Sequence, residues 1–284
     1  MLGVLSSSSL AACGRVVVGA GNTDSHNDAR SEAGADGSAV GAHDAAATGT
    51  EDALAGRDAG LDSAKDSGPD AVNDATSACR QTPVNLRSAA GFAVLAGSTV
   101  TSTGLSVVTG DLGVSPGTAI TGFPPGTMVG AQHAGDPVAA QAIADLATAY
   151  GDAKGRTLCP ISVAGDLSGQ RLAPGLYKST SSLELSTGDL VLDGKGDATA
   201  VFIFQMASTL TTTAGRQVML VNGASAANVT WQVGTSATLG TTSAFAGTIV
   251  ADQAITLKTG ARLTGRALAH IAAVTLDGNV ITKP

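Results

Sequence analysis

The chain has 284 residues, of which 43% are hydrophobic but only 3% aromatic, and a formal net charge of −7. Small residues dominate, a composition that suits stacked regular strands and argues against a bulky globular core. The charge is lopsided: residues 22–78 hold 12 acidic and 3 basic side chains, whereas residues 79–284 hold 11 and 12. The larger part is therefore near neutral and lacks the basic footprint of a nucleic-acid binder.

At the N-terminus, Leu2 to Leu10 is a short apolar, Ser-rich run. The residues Leu10-Ala11-Ala12-Cys13-Gly14 resemble the lipobox of bacterial lipoproteins. Residues 1–13 are expected to be a lipoprotein signal peptide, with Cys13 the lipidation site. No Lys or Arg precedes it, so a start further upstream is expected. The implied location is exported: lipid-anchored at the bacterial outer membrane or cell surface, or released. Several acyl chains on one residue anchor stably where a single chain does not. Beyond this anchor no membrane contact is expected, because no later stretch has the length and purity of a span.

Residues 14–78 form an acidic Ala/Asp/Gly/Ser linker. No aromatic residue occurs before Phe92, and Asp58, Asp62, Asp66, Asp70 and Asp74 recur every four residues. Like charges at that spacing oppose a helix, and a polar, like-charged segment is expected to stay disordered and extended.

A domain over residues 79–284 follows, its folded part opening near Val84. A helix is expected from about Asp136 to Lys154. Asp136 is a good N-cap with Pro137 at the first helical position. Val138, Ala142, Leu146, Ala149, Tyr150 and Ala153 share one stripe, and Gly155 is a stop. Towards the C-terminus the chain repeats. Thr238-Leu239-Gly240-Thr241 is followed by Phe245, Gly247 and Ala251. Thr256-Leu257-Lys258-Thr259 is followed by Leu263, Gly265 and Ala269, and Thr275-Leu276-Asp277 starts a third copy. The offsets are 18 residues and finally 19, one coil of three short strands per period, which is the mark of a β-helix. Leu183 to Leu192 and Val201 to Leu220 follow the period more loosely.

The blocks along this domain resemble the bacterial and fungal ice-binding proteins built on a discontinuous right-handed β-helix. The resemblance covers nearly all of residues 84–282. It is carried by Ala90-Gly91-Phe92-Ala93-Val94-Leu95-Ala96, Val108-Thr109-Gly110-Asp111-Leu112-Gly113-Val114-Ser115-Pro116 and Ile120-Thr121-Gly122-Phe123. After the helix it continues in Ala173-Pro174-Gly175-Leu176-Tyr177, Val201-Phe202-Ile203-Phe204-Gln205, Asn228-Val229-Thr230-Trp231-Gln232-Val233 and Leu263-Thr264-Gly265-Arg266-Ala267-Leu268-Ala269. It implies a mainly β fold: a three-sided solenoid with the α-helix packed alongside, the first coils lying beside the last, and one flat face that binds ice. The capping insertion of some members is absent or very short here. Their Thr-(Ala/Gly)-x-(Thr/Asn) motif occurs once in the domain, as Thr118-Ala119-Ile120-Thr121.

Ice binding needs no catalytic group. It needs a rigid, flat surface whose methyl groups order water and whose hydroxyls anchor it, with coils stacked at about 4.8 Å, close to a spacing in ice. The candidate lining is Ser98, Thr118 and Thr121 in the first part, then Thr187, Thr213, Thr241, Thr242, Thr259, Ala261 and Ala272. The expected partner is the ice crystal surface, met by a monomer, with no cofactor, no metal and no enzymatic activity. His133 and His270 are isolated, and Asp111, Asp166, Asp189 and Asp277 sit in corners, where Asp usually accepts from nearby backbone amides. Cys79 and Cys159 remain once Cys13 is lipidated, and an oxidising location favours their disulfide over two unrelated thiols. The alternative function is a cell-surface adhesin or polysaccharide-binding module on the same scaffold. Sugar binding favours exposed aromatics, and Phe202, Phe204 and Trp231 lie in strand patterns that read as core.

Overall fold

A computed structural model describes residues 78–284. Cys13, the signal peptide and nearly all of the linker lie outside the described residues. The first coil is β1 (Phe92–Ala96), β2 (Thr99–Thr103) and β3 (Val107–Thr109), and the second is β4 (Asp111–Val114), β5 (Ala119–Thr121) and β6 (Thr127–Val129). A short β7 (Gln132–Ala134) leads into helix α1 (Pro137–Gly155). Coils then resume with β8 (Pro160–Ser162), β9 (Gly165–Asp166) and β10 (Arg171–Leu172), followed by β11 (Gly175–Ser179), β12 (Leu183–Leu185) and β13 (Leu190–Asp193). Next come β14 (Phe202–Met206), β15 (Leu210–Thr212), β16 (Val218–Val221), β17 (Val229–Val233) and β18 (Ala237–Leu239). The chain ends with β19 (Ala244–Ala251), β20 (Ile255–Leu257), β21 (Arg262–Ala269), β22 (Val274–Asp277) and β23 (Val280–Thr282).

Every strand pairing is parallel, and the strands stack into three faces of a right-handed β-helix. The first face runs β7-β4-β1-β21-β19-β17-β14-β11-β8, and the second runs β5-β2-β22-β20-β18-β15-β12-β9. The third joins β6-β3-β23 and the first halves of β21 and β19 to β16-β13-β10, through a bridge between Gln217 and Ala244. The first coil is inserted against the last: Val94 pairs with Ala267, Val100 with Val274 and Val108 with Ile281. This is the discontinuity that the resemblance implies.

Two coil lengths explain the uneven periodicity. β19 and β21 align residue for residue at an offset of 18. Each turns from the third face to the first without a break, and Gly247 makes that bend at φ +112. A Cβ at Gly265 would lie 1.9 Å from the Gly247 carbonyl oxygen, so the neighbouring coil needs glycine there too. The earlier pairs, Leu176–Ile203, Leu183–Leu210 and Phe204–Trp231, are offset by 27. Their extra residues lie in longer connections from the third face back to the first.

The interior is apolar, with Val, Ile and Leu stacked in register and an aromatic column along one side. Tyr177, Phe204, Trp231 and Phe245 follow one another with ring centroids 5.1, 3.9 and 4.9 Å apart. The Trp231 indole N–H donates to the Ala246 carbonyl at 3.0 Å. All four rings are buried.

Helix α1 starts where Asp136 accepts the Ala139 N–H at 2.8 Å. Its 19 residues span about 28 Å, the width of roughly six stacked strands. It returns the chain along the first face from β7 at one end to β8 at the other. Ala142, Leu146 and Tyr150 pack on Leu95, Val250 and Leu268, while Ala149 and Ala153 pack on Leu176, Val201 and Ile203. At the helix end the Gln205 amide donates to the carbonyls of Ala153, Lys154 and Arg156, supplying partners that the last turn lacks. Cys79 and Cys159 form a disulfide, Cα–Cα 5.6 Å, joining the start of the described residues to the segment after the helix.

Candidate functional site

The three faces differ in what they offer to solvent. Much of the first lies under α1. The third is uneven and charged: Arg171 and Arg262 are exposed, Met219 is 40% exposed, and the Arg171 guanidinium holds Asp193 at 2.8 Å.

The second face is regular. Along each of its strands the pleat sends alternate residues inward and outward. Val100, Val274, Ile255, Ala237 and Leu210 are buried inside, and the next residue in each strand is a threonine facing out. Register places these side chains in one row: Thr121 beside Thr101, then Thr275, Thr256, Thr238 and Thr211. Six threonines on six adjacent strands, about 4.8 Å apart, make a ladder about 24 Å long. Each is exposed or half-buried, and among the described residues none of their hydroxyls bonds to another protein group. β-Branching restricts χ1, so the ladder's methyls and hydroxyls are held in few orientations.

Beside the ladder runs a second small-residue row. Thr99 pairs with Ala119, and the residues just ahead of β22, β20, β18, β15 and β12 are Ala273, Ala254, Ser236, Thr209 and Ser182. The opposite margin is polar. Asp277 accepts from the hydroxyls of Thr103 and Thr259. Beyond Thr211 the ladder meets Glu184 and then Asp166.

From Thr121 to Thr211 the ladder itself carries no ionisable side chain. What the ladder presents is a row of methyls and free hydroxyls repeating at the inter-strand spacing. Among the described residues no group of three His, Cys, Asp or Glu could hold a metal ion. His133 pairs with Asp136 at 2.7 Å and His270 with Asp252 at 3.4 Å. The corner aspartates brace the coils. Asp111 accepts the Ala131 N–H and Asp189 the Gln217 N–H, at 2.8 and 2.9 Å. Asp166 accepts from the backbone and hydroxyl of both Ser168 and Ser186. Burial alone would raise the Asp166 pKa, but those four donors outweigh it and bring it to about 2. No helix among the described residues is long and apolar enough to cross a membrane.

A family model described as ice-binding-like matches residues 94–282. The chain belongs to that family. An ice-binding protein from Nostoc sp. is 50% identical over 201 residues, covering 70% of this chain and 73% of its own length. The ice-binding protein of Flavobacterium frigoris is 37% identical over 216 residues, covering 71% and 76%. Among solved structures, an ice-binding protein from an Antarctic biological consortium superposes with a TM-score of 0.71 at 53% identity, covering 72% of this chain and 93% of that one.

Within this ice-binding-like chain, the ten residues expected to line the face fall into three groups and one misplacement. Thr121 lies on the ladder. Ser98 and Thr118 are exposed at the corner leading into the face, with half-buried Ala272. The Ala272 carbonyl accepts from Gly97 and Ser98. Thr187, Thr213, Thr241, Thr242 and Thr259 are exposed at the opposite corner. Three of these corner hydroxyls are already committed: Thr213 donates to the Ser186 carbonyl at 2.6 Å, Thr242 to the Thr241 carbonyl at 2.7 Å, and Thr259 to Asp277. Ala261 must be corrected. It is 0% exposed, because the turn through Gly260 at φ +69 points its methyl into the core. The ladder members Thr101, Thr211, Thr238, Thr256 and Thr275 are not among those ten, although Thr238, Thr256 and Thr275 head the visible repeats. Their signal is alternation with buried residues: Ala237-Thr238-Leu239, Ile255-Thr256-Leu257 and Val274-Thr275-Leu276 run in, out, in.

Proposed function

We propose that this chain adsorbs to ice through the second face and thereby restrains ice growth and recrystallisation. The observation that carries the proposal is the ladder of six threonines with free hydroxyls. Their methyls favour ordered water over disordered contact, and their hydroxyls anchor that water at the spacing of the coils. The rigid solenoid lowers the ordering cost of adsorption, since neither backbone nor β-branched side chains have much freedom left to lose. The relatives above are themselves named ice-binding proteins. A sugar-binding module would favour exposed aromatic rings, and Tyr177, Phe202, Phe204, Trp231 and Phe245 are all buried.

The test is microscopy of ice in a solution of the full chain. Faceted crystals and arrested recrystallisation are the expected result, and round, freely coarsening crystals would count against ice binding. Export and tethering through a lipid at Cys13 belong to the same proposal. Replacing Cys13 by Ala is expected to release the protein from membrane fractions, and unchanged membrane association would oppose that tether.

A further inference from the structure

We infer that Glu184 sets the length of the ice-contacting array, an inference that rests on the second-face reading above. Glu184 is exposed at the centre of β12 and stands in the threonine row, in register with Thr211 on one side and Asp166 on the other. Its neighbours Leu183 and Leu185 are buried and hold the strand in place. Among the described residues the Glu184 carboxylate meets no donor, whereas Asp166 one coil further meets four. Asp166 therefore has a structural task and Glu184 has none within the fold.

The adjoining row does not break at this coil. Ser182 continues it, its hydroxyl accepting from the Thr209 hydroxyl at 2.8 Å. Between Thr121 and Asp166, Glu184 alone interrupts two rows of otherwise small, uncharged side chains. The interruption is steric and electrostatic together. A glutamate reaches further from the sheet than a threonine hydroxyl, and an ionised carboxylate organises its own hydration shell. Both effects lift ice-like water away from β12. Removing them extends the array by one coil, about 4.8 Å on about 24 Å. It ends there, because Asp166 is fixed by its serines.

The experiment compares the parent full chain with Glu184→Thr and Thr256→Tyr, reading thermal hysteresis at matched molar concentrations alongside a circular-dichroism melt. Threonine suits a strand, and an exposed substitution of this kind leaves the melt nearly unchanged. The expected result is higher thermal hysteresis for Glu184→Thr at every concentration, with a nearly unchanged melt, and loss of activity for Thr256→Tyr. Hysteresis at or below the parent value in Glu184→Thr, with Thr256→Tyr inactive, overturns the role of Glu184 and leaves the second face standing. Full activity in Thr256→Tyr overturns both.

Discussion

Replacing Leu146 by Ala separates what holds this protein together from what touches ice. Leu146 is 0% exposed, at the centre of the helix stripe, in a cluster with Leu95, Tyr150, Val250 and Leu268. The substitution removes three carbons from a closed interface, worth about 2.4 kcal/mol at roughly 0.8 kcal/mol each. The cavity left behind adds to this, and measured Leu→Ala changes at buried sites span about 2–5 kcal/mol. A loss of about 3 kcal/mol is therefore expected. For a domain of this size each kcal/mol moves the melting temperature by about 2–4 °C, so a fall of roughly 6–12 °C follows. Ice activity is measured near freezing, far below that transition, and the helix covers the first face, not the second face proposed to meet ice. Calorimetry and thermal hysteresis on the same sample check both halves. A melt lowered by less than about 2 °C would refute the packing argument. Lost hysteresis in the folded variant would refute the exclusion of the helix face.

Two further outcomes follow from side chains at the margins of the second face. Thr259→Tyr is expected to cost about 1 kcal/mol by taking a hydroxyl from Asp277, while lowering recrystallisation inhibition less than a ladder substitution does. Equal damage from both would extend the contact surface over the corner. Asp166 has a folded pKa of about 2 against an ordinary 3.8, so its contribution to stability is present above the ordinary value and is lost as pH falls through the folded one. Acid unfolding curves of Asp166→Asn and the parent should therefore converge between about pH 4 and pH 2, and a constant gap across that range would contradict the assignment.

The sequence carried the solenoid most clearly where coils are shortest. β19 to β22 turn their corners with few extra residues, so Thr238, Thr256 and Phe245, Leu263 recur at 18. Helix α1 was legible because its start is written locally, in Asp136 and Pro137. The 27-residue coils were blurred by their longer returns to the first face, in which no strand pattern repeats. The contact of β2 with β22 joins Val100 to Val274, and no local spacing encodes it; the family resemblance supplied it. At the site, Thr241 and Thr259 share a corner position that the 18-residue repeat makes visible, whereas the outward position of Thr238 and Thr256 follows from strand register in the structure. Ala261 turns inward because of Gly260 at φ +69, a backbone effect that composition does not carry.

The most direct test of the account is Thr256→Tyr in the full chain, in the middle of the ladder between Thr275 and Thr238. One projecting ring there lifts both neighbours from a flat lattice while leaving the buried Ile255 and Leu257 untouched. Thermal hysteresis and recrystallisation inhibition should be lost with the melting temperature within about 2 °C of the parent. A folded variant that shapes ice as well as the parent would contradict the second face as the surface that meets the crystal.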